Sequence, residues 1–301
     1  MNRWVNALVL ILVIQCALVA AFYWPGQKPL PATQKEHRLA SFDAGMVDEI
    51  RIGDEFDNEA ALTRSGEHWL LAYLEGLPAS RSKVEQLLEA ISDEAHDWPV
   101  AHTSAARQRF QVADYYYQRR LTVLGKGKVL GTIYLGTSPG FRKVYARNEK
   151  QDEIYSIGFN VFDAPAISGA WLEPDLLQVR TPLRIDADSY SVHFNNGIWL
   201  SGTGGTPDPR ELEALITALR NLQVDGVADF DMQRELSLAE ASLELAVHSL
   251  VGEIRLELFL QDGQHYIHSS EYSLFFKISP YDFDLLTGIA FRLISGELIE
   301  E

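Results

Sequence analysis

The residues best suited to metal or acid–base chemistry are Asp93-Glu94-Ala95-His96-Asp97, with His102 five positions further on. Carboxylates and imidazoles are the ligands of hard and borderline cations, provided they converge on one point about 2.0–2.2 Å away. The spacing here is not that of a metal-binding helix, and the run follows a helical pattern, so a solvated connection is expected. His265 and His268 sit three apart in a strand pattern. Side chains alternate between the faces of a strand, so the two imidazoles point to opposite sides and are not expected to share a ligand. Gly202-Thr203-Gly204-Gly205 precedes a helix but lacks the Lys-Ser/Thr of a phosphate loop. Asp208 at the helix start would also repel an anion. Gly125-Lys126-Gly127-Lys128 reads as a cationic hairpin tip.

Nucleophilic chemistry has little to work with. No Gly-x-Ser-x-Gly elbow occurs. The one cysteine, Cys16, lies in a hydrophobic segment, which leaves the remainder without a thiolate or a disulfide. Asp54-Glu55 and Asp163 are too scattered to form an acid–base pair by spacing. No catalytic, cofactor-binding or metal-binding residue is assigned, and a non-enzymatic protein is expected. Tyr115-Tyr116-Tyr117 is the remaining candidate. Alternate tyrosines of a strand face opposite ways, so part of this patch faces outward as a partner-binding surface, unless a boundary between halves covers it.

The elements that must hold these residues begin with Val5–Trp24, 20 residues without a charge. A helix of about 20 residues spans roughly 30 Å, the thickness of a hydrocarbon core. Trp4 at one end and Tyr23-Trp24 at the other resemble an aromatic belt. A transmembrane anchor over 1–24 and a polar tether over 25–39 are expected, a cleaved signal peptide being the competing reading. Arg3 favours an inside N-terminus, while Lys28, Lys35 and Arg38 lie on the opposite flank. The expected placement is a single-pass protein of a bacterial inner membrane with its C-terminal domain extracytoplasmic.

The whole chain has 301 residues, 47% hydrophobic, 23% charged, with a formal net charge of −16. That balance belongs to a globular chain. Residues 1–39 carry Arg3, Lys28, Lys35 and Arg38 against Glu36, so the rest is more acidic than the whole. An acidic domain repels nucleic acid, which is excluded as a partner.

The globular part reads as a duplication, with repeats over 40–180 and 181–301. Val47–Ile52 is a strand, another ends at Glu67–Leu71, and Pro78-x-Ser80 precedes a helix with apolar Val84, Leu87, Leu88 and Ile91. In the second half a hairpin turns at Asn195-Asn196-Gly197, and Asp208-Pro209 opens a helix with Leu212, Leu215, Ile216 and Leu219. Each lies 128 residues after its counterpart, and Trp199 follows Trp69 by 130. Both tryptophans are expected in the core. The expected fold is α+β: an N-terminal transmembrane helix, then two tandem β-β-α-β-β-β repeats with mostly antiparallel sheets.

Gly66-x-x-Trp69, Pro78-x-Ser80 and the Val84/Leu87/Leu88 helix resemble the repeat of a membrane-anchored bacterial family known as domain of unknown function 4340. The continuation is similar at Phe110-x-Val112, Leu135-Gly136, Pro139-Gly140, Tyr145-Ala146-Arg147 and Ile154-Tyr155-Ser156-Ile157. The resemblance covers roughly 40–290. It departs from the common pattern at Phe110-Gln111-Val112, where a glycine and a following proline are usual. No catalytic residue or cofactor is implied. The resemblance implies association with gliding-motility-type ABC transport components. The function expected is therefore a membrane-anchored accessory or scaffold protein of an ABC-type transport system at the cell envelope, held to the membrane by its N-terminal helix and to protein partners by its globular part. The alternative is an extracytoplasmic binding module for a cell-envelope polymer or lipid, using a cleft between the halves.

Overall fold

The computed structural model describes residues 12–15, 39–40, 42–92 and 98–295. It corrects the expected fold class. Among the described residues no helix is long and apolar enough to cross a membrane. The expected transmembrane helix falls, apart from the helical residues 12–15, outside the described residues, and most of the expected tether does too. The globular part is two eight-stranded antiparallel sheets with a few short helices, and the β-β-α-β-β-β formula undercounts the strands of each half.

The first sheet is built from β1 (Glu49–Gly53), β2 (Glu59–Ser65), β3 (His68–Leu71) and β4 (Leu77–Pro78). After helices α1 (Arg81–Ser92) and α2 (Ser104–Arg109) comes a separate two-stranded hairpin, β5 (Val112–Ala113) and β6 (Tyr116–Tyr117). The first sheet is then completed by β7 (Arg119–Gly125), β8 (Lys128–Leu135), β9 (Val144–Asn148) and β10 (Ile154–Ile157). Its order is β10-β9-β8-β7-β1-β2-β3-β4. The second half runs β11 (Pro182–Ala187), β12 (Ser191–Asn195), β13 (Ile198–Ser201), α3 (Pro209–Asn221), β14 (Val224–Val227), α4 (Phe230–Leu236), β15 (Leu243–Ser249), β16 (Glu253–Gln261), β17 (Gln264–Ser269), β18 (Phe275–Ile278), α5 (Pro280–Thr287) and α6 (Phe291–Ile294). Its sheet order is β13-β12-β11-β15-β16-β17-β18-β14. In each sheet a three-strand meander lies beside a four-strand meander, so the two share one ordering; β4 and β14 are the additions, at opposite edges.

The undercount has a physical cause. β2 reads Glu-Ala-Ala-Leu-Thr-Arg-Ser, and Ala60, Ala61 and Leu62 are all buried. A strand covered on both faces loses the two-residue alternation, and alanine favours helices in isolation. Pairing with β1 and β3 overrides that local preference.

Helix α1 buries Val84, Leu87, Leu88 and Ile91 along one stripe, each removal from water stabilising by about 1.5–3 kcal/mol. Asp208 caps α3 by accepting from the Arg210 and Glu211 N–H groups at 2.8 and 3.3 Å, and Pro209 occupies the first turn. One continuous core includes Ile50, Leu121 and Leu87 of the first half together with Ile185, Val247 and Leu219 of the second.

The connector between the sheets is stapled to both. Its Trp171 is fully buried and donates Nε1–H to the Pro165 carbonyl at 2.7 Å. The Trp171 carbonyl accepts from the Ser80 N–H at 2.7 Å, and the Glu173 N–H donates to Pro78 at 3.0 Å, closing the β4 edge. The Pro174 carbonyl accepts from the Val224 N–H at 2.9 Å, closing the β14 edge, and the Val179 N–H donates to Leu219 in α3 at 3.0 Å. The β10 edge is covered by residues 100–101, which exchange bonds of 2.8 Å with Ile154. Edge strands left open invite unwanted pairing, so this capping is expected of a stable sheet.

Candidate functional site

Tyr115, Tyr116 and Tyr117 do not lie along one strand face. They occupy the β5–β6 hairpin, in which Ala113 pairs with Tyr116 and Asp114-Tyr115 form the turn. Tyr115 projects from the tip and is 73% exposed. Tyr116 is partly exposed, and its hydroxyl accepts from Gln111 Nε2 at 2.6 Å. Tyr117 turns inward and packs on Tyr134, ring centroids 5.3 Å apart.

The hairpin is short, and a two-stranded ribbon is marginal on its own in water. The surrounding chain supplies the rigidity. Thr103 caps α2 through the Ala106 N–H at 3.2 Å, and the chain leaves α2 through Gln111 in the left-handed region at φ 56°. The Gln111 amide then bridges outward to Tyr116 and inward to Gln118, whose Nε2 donates to Gln111 Oε1 at 2.9 Å. Val112 is fully buried against Tyr134 and Ile154, with Phe110, Tyr117 and Tyr145 around it. Phe110 stacks on Tyr145 at 4.0 Å.

Beneath the hairpin lies the buried Arg147 of β9. Its Nε donates to the Val112 carbonyl at 2.7 Å, and its Nη1 reaches the carbonyls of Asn148, Glu149 and Gln151 at 3.2–3.3 Å. Burial, with the like charge of Arg107 second, pulls the Arg147 guanidinium down from its ordinary range. Burial, followed by the negative charge of Glu149, pushes the Tyr134 hydroxyl up. Both groups serve packing and hold β5 in place. Gly136 completes the base: a Cβ there would stand 1.9 Å from the Phe110 carbonyl oxygen, so only glycine lets β8 pass so close to the end of α2. The loop after it carries Phe141, 91% exposed, with the Arg142 guanidinium 6.0 Å from its ring centroid.

The remaining candidates are spread apart. Residues 93–97 lie outside the described residues, and His102 is exposed. His265 packs on Phe283 at 4.7 Å, whereas His268 stacks on Phe275 at 4.8 Å, on the other side of the sheet, with its Nδ1 2.8 Å from Glu257. Among the described residues no group of three His, Cys, Asp or Glu side chains converges as a cation site would require. Gly202–Gly205 forms a turn closed by the Ser201 N–H on the Gly205 carbonyl at 2.9 Å. At the Gly125–Lys128 hairpin the Lys126 N–H donates to Asp48 at 2.6 Å. Asp54 binds its own loop through the Phe56 and Asn58 N–H groups, and Asp163 sits in a short 3-10 turn. Trp69 is buried and Trp199 half-buried.

Among the described residues, three grooves lie each within one half. One of about 450 Å³ lies between α1 and β3, lined by Arg64, Glu67, Trp69, Arg81 and Glu85 among others. Two on the outer face of the second sheet, about 270 and 420 Å³, share Glu244 and Glu257. Nearby, Asp186 accepts from Arg184 Nε at 2.7 Å and from the Ser191 hydroxyl at 2.6 Å. Partial burial works to raise its carboxyl, but those hydrogen bonds outweigh it and hold Asp186 below the usual carboxylate range.

The sequence offers the tyrosines as candidates but does not show what braces them. Arg147 and Gln111 stand in the sequence only within the stretches Tyr145-Ala146-Arg147 and Phe110-Gln111-Val112 of the family resemblance, with no bracing role implied, and Gln118 carries no signal. A further signal is Leu135-Gly136, a glycine just past an apolar strand, which marks close backbone approach.

The fold and site together define a two-sheet antiparallel protein that presents a braced aromatic hairpin. Residues 69–245, more than half of the chain, match the model of a family described as Domain of unknown function (DUF4340), and the chain belongs to that family. No curated protein and no solved structure matches it.

Proposed function

We propose that the protein is a non-enzymatic accessory or scaffold subunit that binds partner proteins of an ABC-type transport system at the cell envelope, with the β5–β6 hairpin as its docking element. The observation that carries this reading is Tyr115, an exposed aromatic at the tip of a hairpin whose base is locked by Arg147, Gln111 and Tyr134. Rigid, exposed tyrosines supply large contact area at little entropic cost, and binding energy concentrates in such anchors. A loose hairpin would have to be ordered on binding, which subtracts from affinity. The family resemblance at Gly66-x-x-Trp69 and Tyr145-Ala146-Arg147 supports the transport setting. The groups whose pKa the surroundings shift, including Arg147, Tyr134 and Asp186, are engaged in packing or in sheet-face hydrogen bonds, which fits a binding role better than a catalytic one.

The test is affinity capture of the full-length chain from its native cells, wild type against Tyr115→Ala. Transport-system subunits retained by the wild type and lost by the variant are expected. Equal retention by both would overturn the role of the hairpin, and capture without any transport subunit would overturn the setting.

A further inference from the structure

We infer that the protein forms a twofold dimer by antiparallel pairing of β13 with β13 of a second copy, centred on Trp199. Three of the four sheet edges are closed by the chain itself: β4 and β14 by the connector and β10 by residues 100–101. The first sheet even places an extra strand outside β3, through the pairs Leu70–Pro78 and Leu71–Leu77. At the corresponding edge of the second sheet the chain turns away after Ser201, and β13 has no outer partner among the described residues.

The hairpin geometry says which backbone groups are left. The turn is Asn196-Gly197, both with positive φ (51° and 90°), and Asn195 pairs with Ile198. In a two-residue hairpin that closing pair exchanges hydrogen bonds, so the next pair, Phe194–Trp199, does not. The N–H and C=O of Trp199 therefore point away from β12. The Ser201 N–H, of the same parity, also points outward and is taken up by the Gly205 carbonyl at 2.9 Å. Trp199 has no such partner among the described residues.

A single residue with both outward groups free is self-complementary. Across a twofold axis its N–H meets the C=O of its own copy, twice. That register sets Ile198 against Leu200 of the second copy on the outer face, and Leu200 against Ile198. On the inner face the Trp199 rings come together beside Phe194, whose centroid lies 5.7 Å from that of Trp199. Ile198 is 60% and Phe194 44% exposed, so both faces of this edge carry uncovered apolar surface.

Charge selects a second copy over an acidic or basic partner. The chain is strongly acidic, yet residues 194–207 contain no charged side chain. Like-charged copies repel through most of their surface, and this uncharged edge lets them approach. Open edges are ordinarily guarded by lysine or by an inward charge, and this one has neither. Twofold dimers are the commonest closed symmetry of soluble homo-oligomers, and their interfaces are isologous.

The experiment is the molar mass of the full-length chain by light scattering or sedimentation, wild type against Ile198→Lys. Ile198 is mostly exposed, so the variant keeps its fold. A wild-type dimer whose dissociation constant rises about tenfold or more in the variant is expected. The register is read separately, from Ile198→Cys and Leu200→Cys chains that also carry Cys16→Ser. A mixture of the two cross-links on mild oxidation, and neither alone does so efficiently. A wild-type chain monomeric at about 0.1 mM would overturn the inference. A dimer indifferent to Ile198→Lys, or one in which the mixed cysteines fail to cross-link, would overturn it equally.

Discussion

The guanidinium carbon of Arg147 lies 5.0 Å from the centroid of the Tyr134 ring, while its Nε holds the Val112 carbonyl at 2.7 Å. One buried cation thus ties the outer face of the first sheet to the foot of the tyrosine hairpin. A guanidinium suits the place because its planar fork reaches several carbonyls at once and its face stacks on a ring.

Arg147→Met removes bonds to the carbonyls of Val112, Asn148, Glu149 and Gln151 and leaves buried acceptors unpaired. A loss of about 3 kcal/mol or more in unfolding free energy is expected. Denaturant titration checks it. A change below about 0.5 kcal/mol would mean that solvent satisfies those carbonyls.

The tyrosines should separate cleanly. Tyr117 packs on Tyr134 and belongs to the small cluster around Val112, so Tyr117→Ala should destabilise by about 2–4 kcal/mol. Tyr115 is 73% exposed, so Tyr115→Ala should stay within about 0.5 kcal/mol of the wild type. Thermal melts of the two variants side by side decide it.

Gly136→Ala forces a methyl group to within 1.9 Å of the Phe110 carbonyl oxygen. The obstacle is backbone and cannot swing aside, so a cost of about 3 kcal/mol or more is expected. Gly140→Ala in the same loop meets nothing within 4 Å and serves as the control.

These three predictions rest on contacts that differ in how visible they are in the sequence. The stripe Val84, Leu87, Leu88, Ile91 announces α1 because a helix repeats every 3.6 residues and needs no distant partner to be recognised. Asp208-Pro209 and Asn195-Asn196-Gly197 announce a cap and a turn for equally local reasons. β2 stayed hidden because burial on both faces erases alternation. The connector and Arg147 stayed hidden because their roles depend on residues far along the chain: Trp171 on Ser80, and Arg147 on Val112. The candidate site was legible as three tyrosines and illegible as a braced hairpin, since the bracing comes from those distant contacts.

Tyr190 gives a pH prediction. Its hydroxyl is buried without a hydrogen-bond partner among the described residues, and burial pushes it up to about 12. The unfolded chain loses this proton near pH 10 and the folded chain near 12. Between those values the unfolded state binds fewer protons, so stability falls as pH rises, by up to about 2–3 kcal/mol, and the full contribution is present below pH 10. Tyr190→Phe should flatten this alkaline limb and also raise stability near neutrality by about 1 kcal/mol, because an unpaired buried hydroxyl is removed. Denaturant midpoints from pH 8 to 12 check both; an unchanged alkaline slope would show that other groups control it.

The central claim is that Tyr115 is a docking anchor on a pre-formed hairpin. Its most direct test is quantitative recovery of transport-system subunits on immobilised full-length protein, comparing wild type with Tyr115→Ala at matched folded amounts. Recovery should fall at least about tenfold, the effect of losing one aromatic anchor, while the melting temperature stays unchanged. Equal recovery by the two folded proteins would contradict the claim.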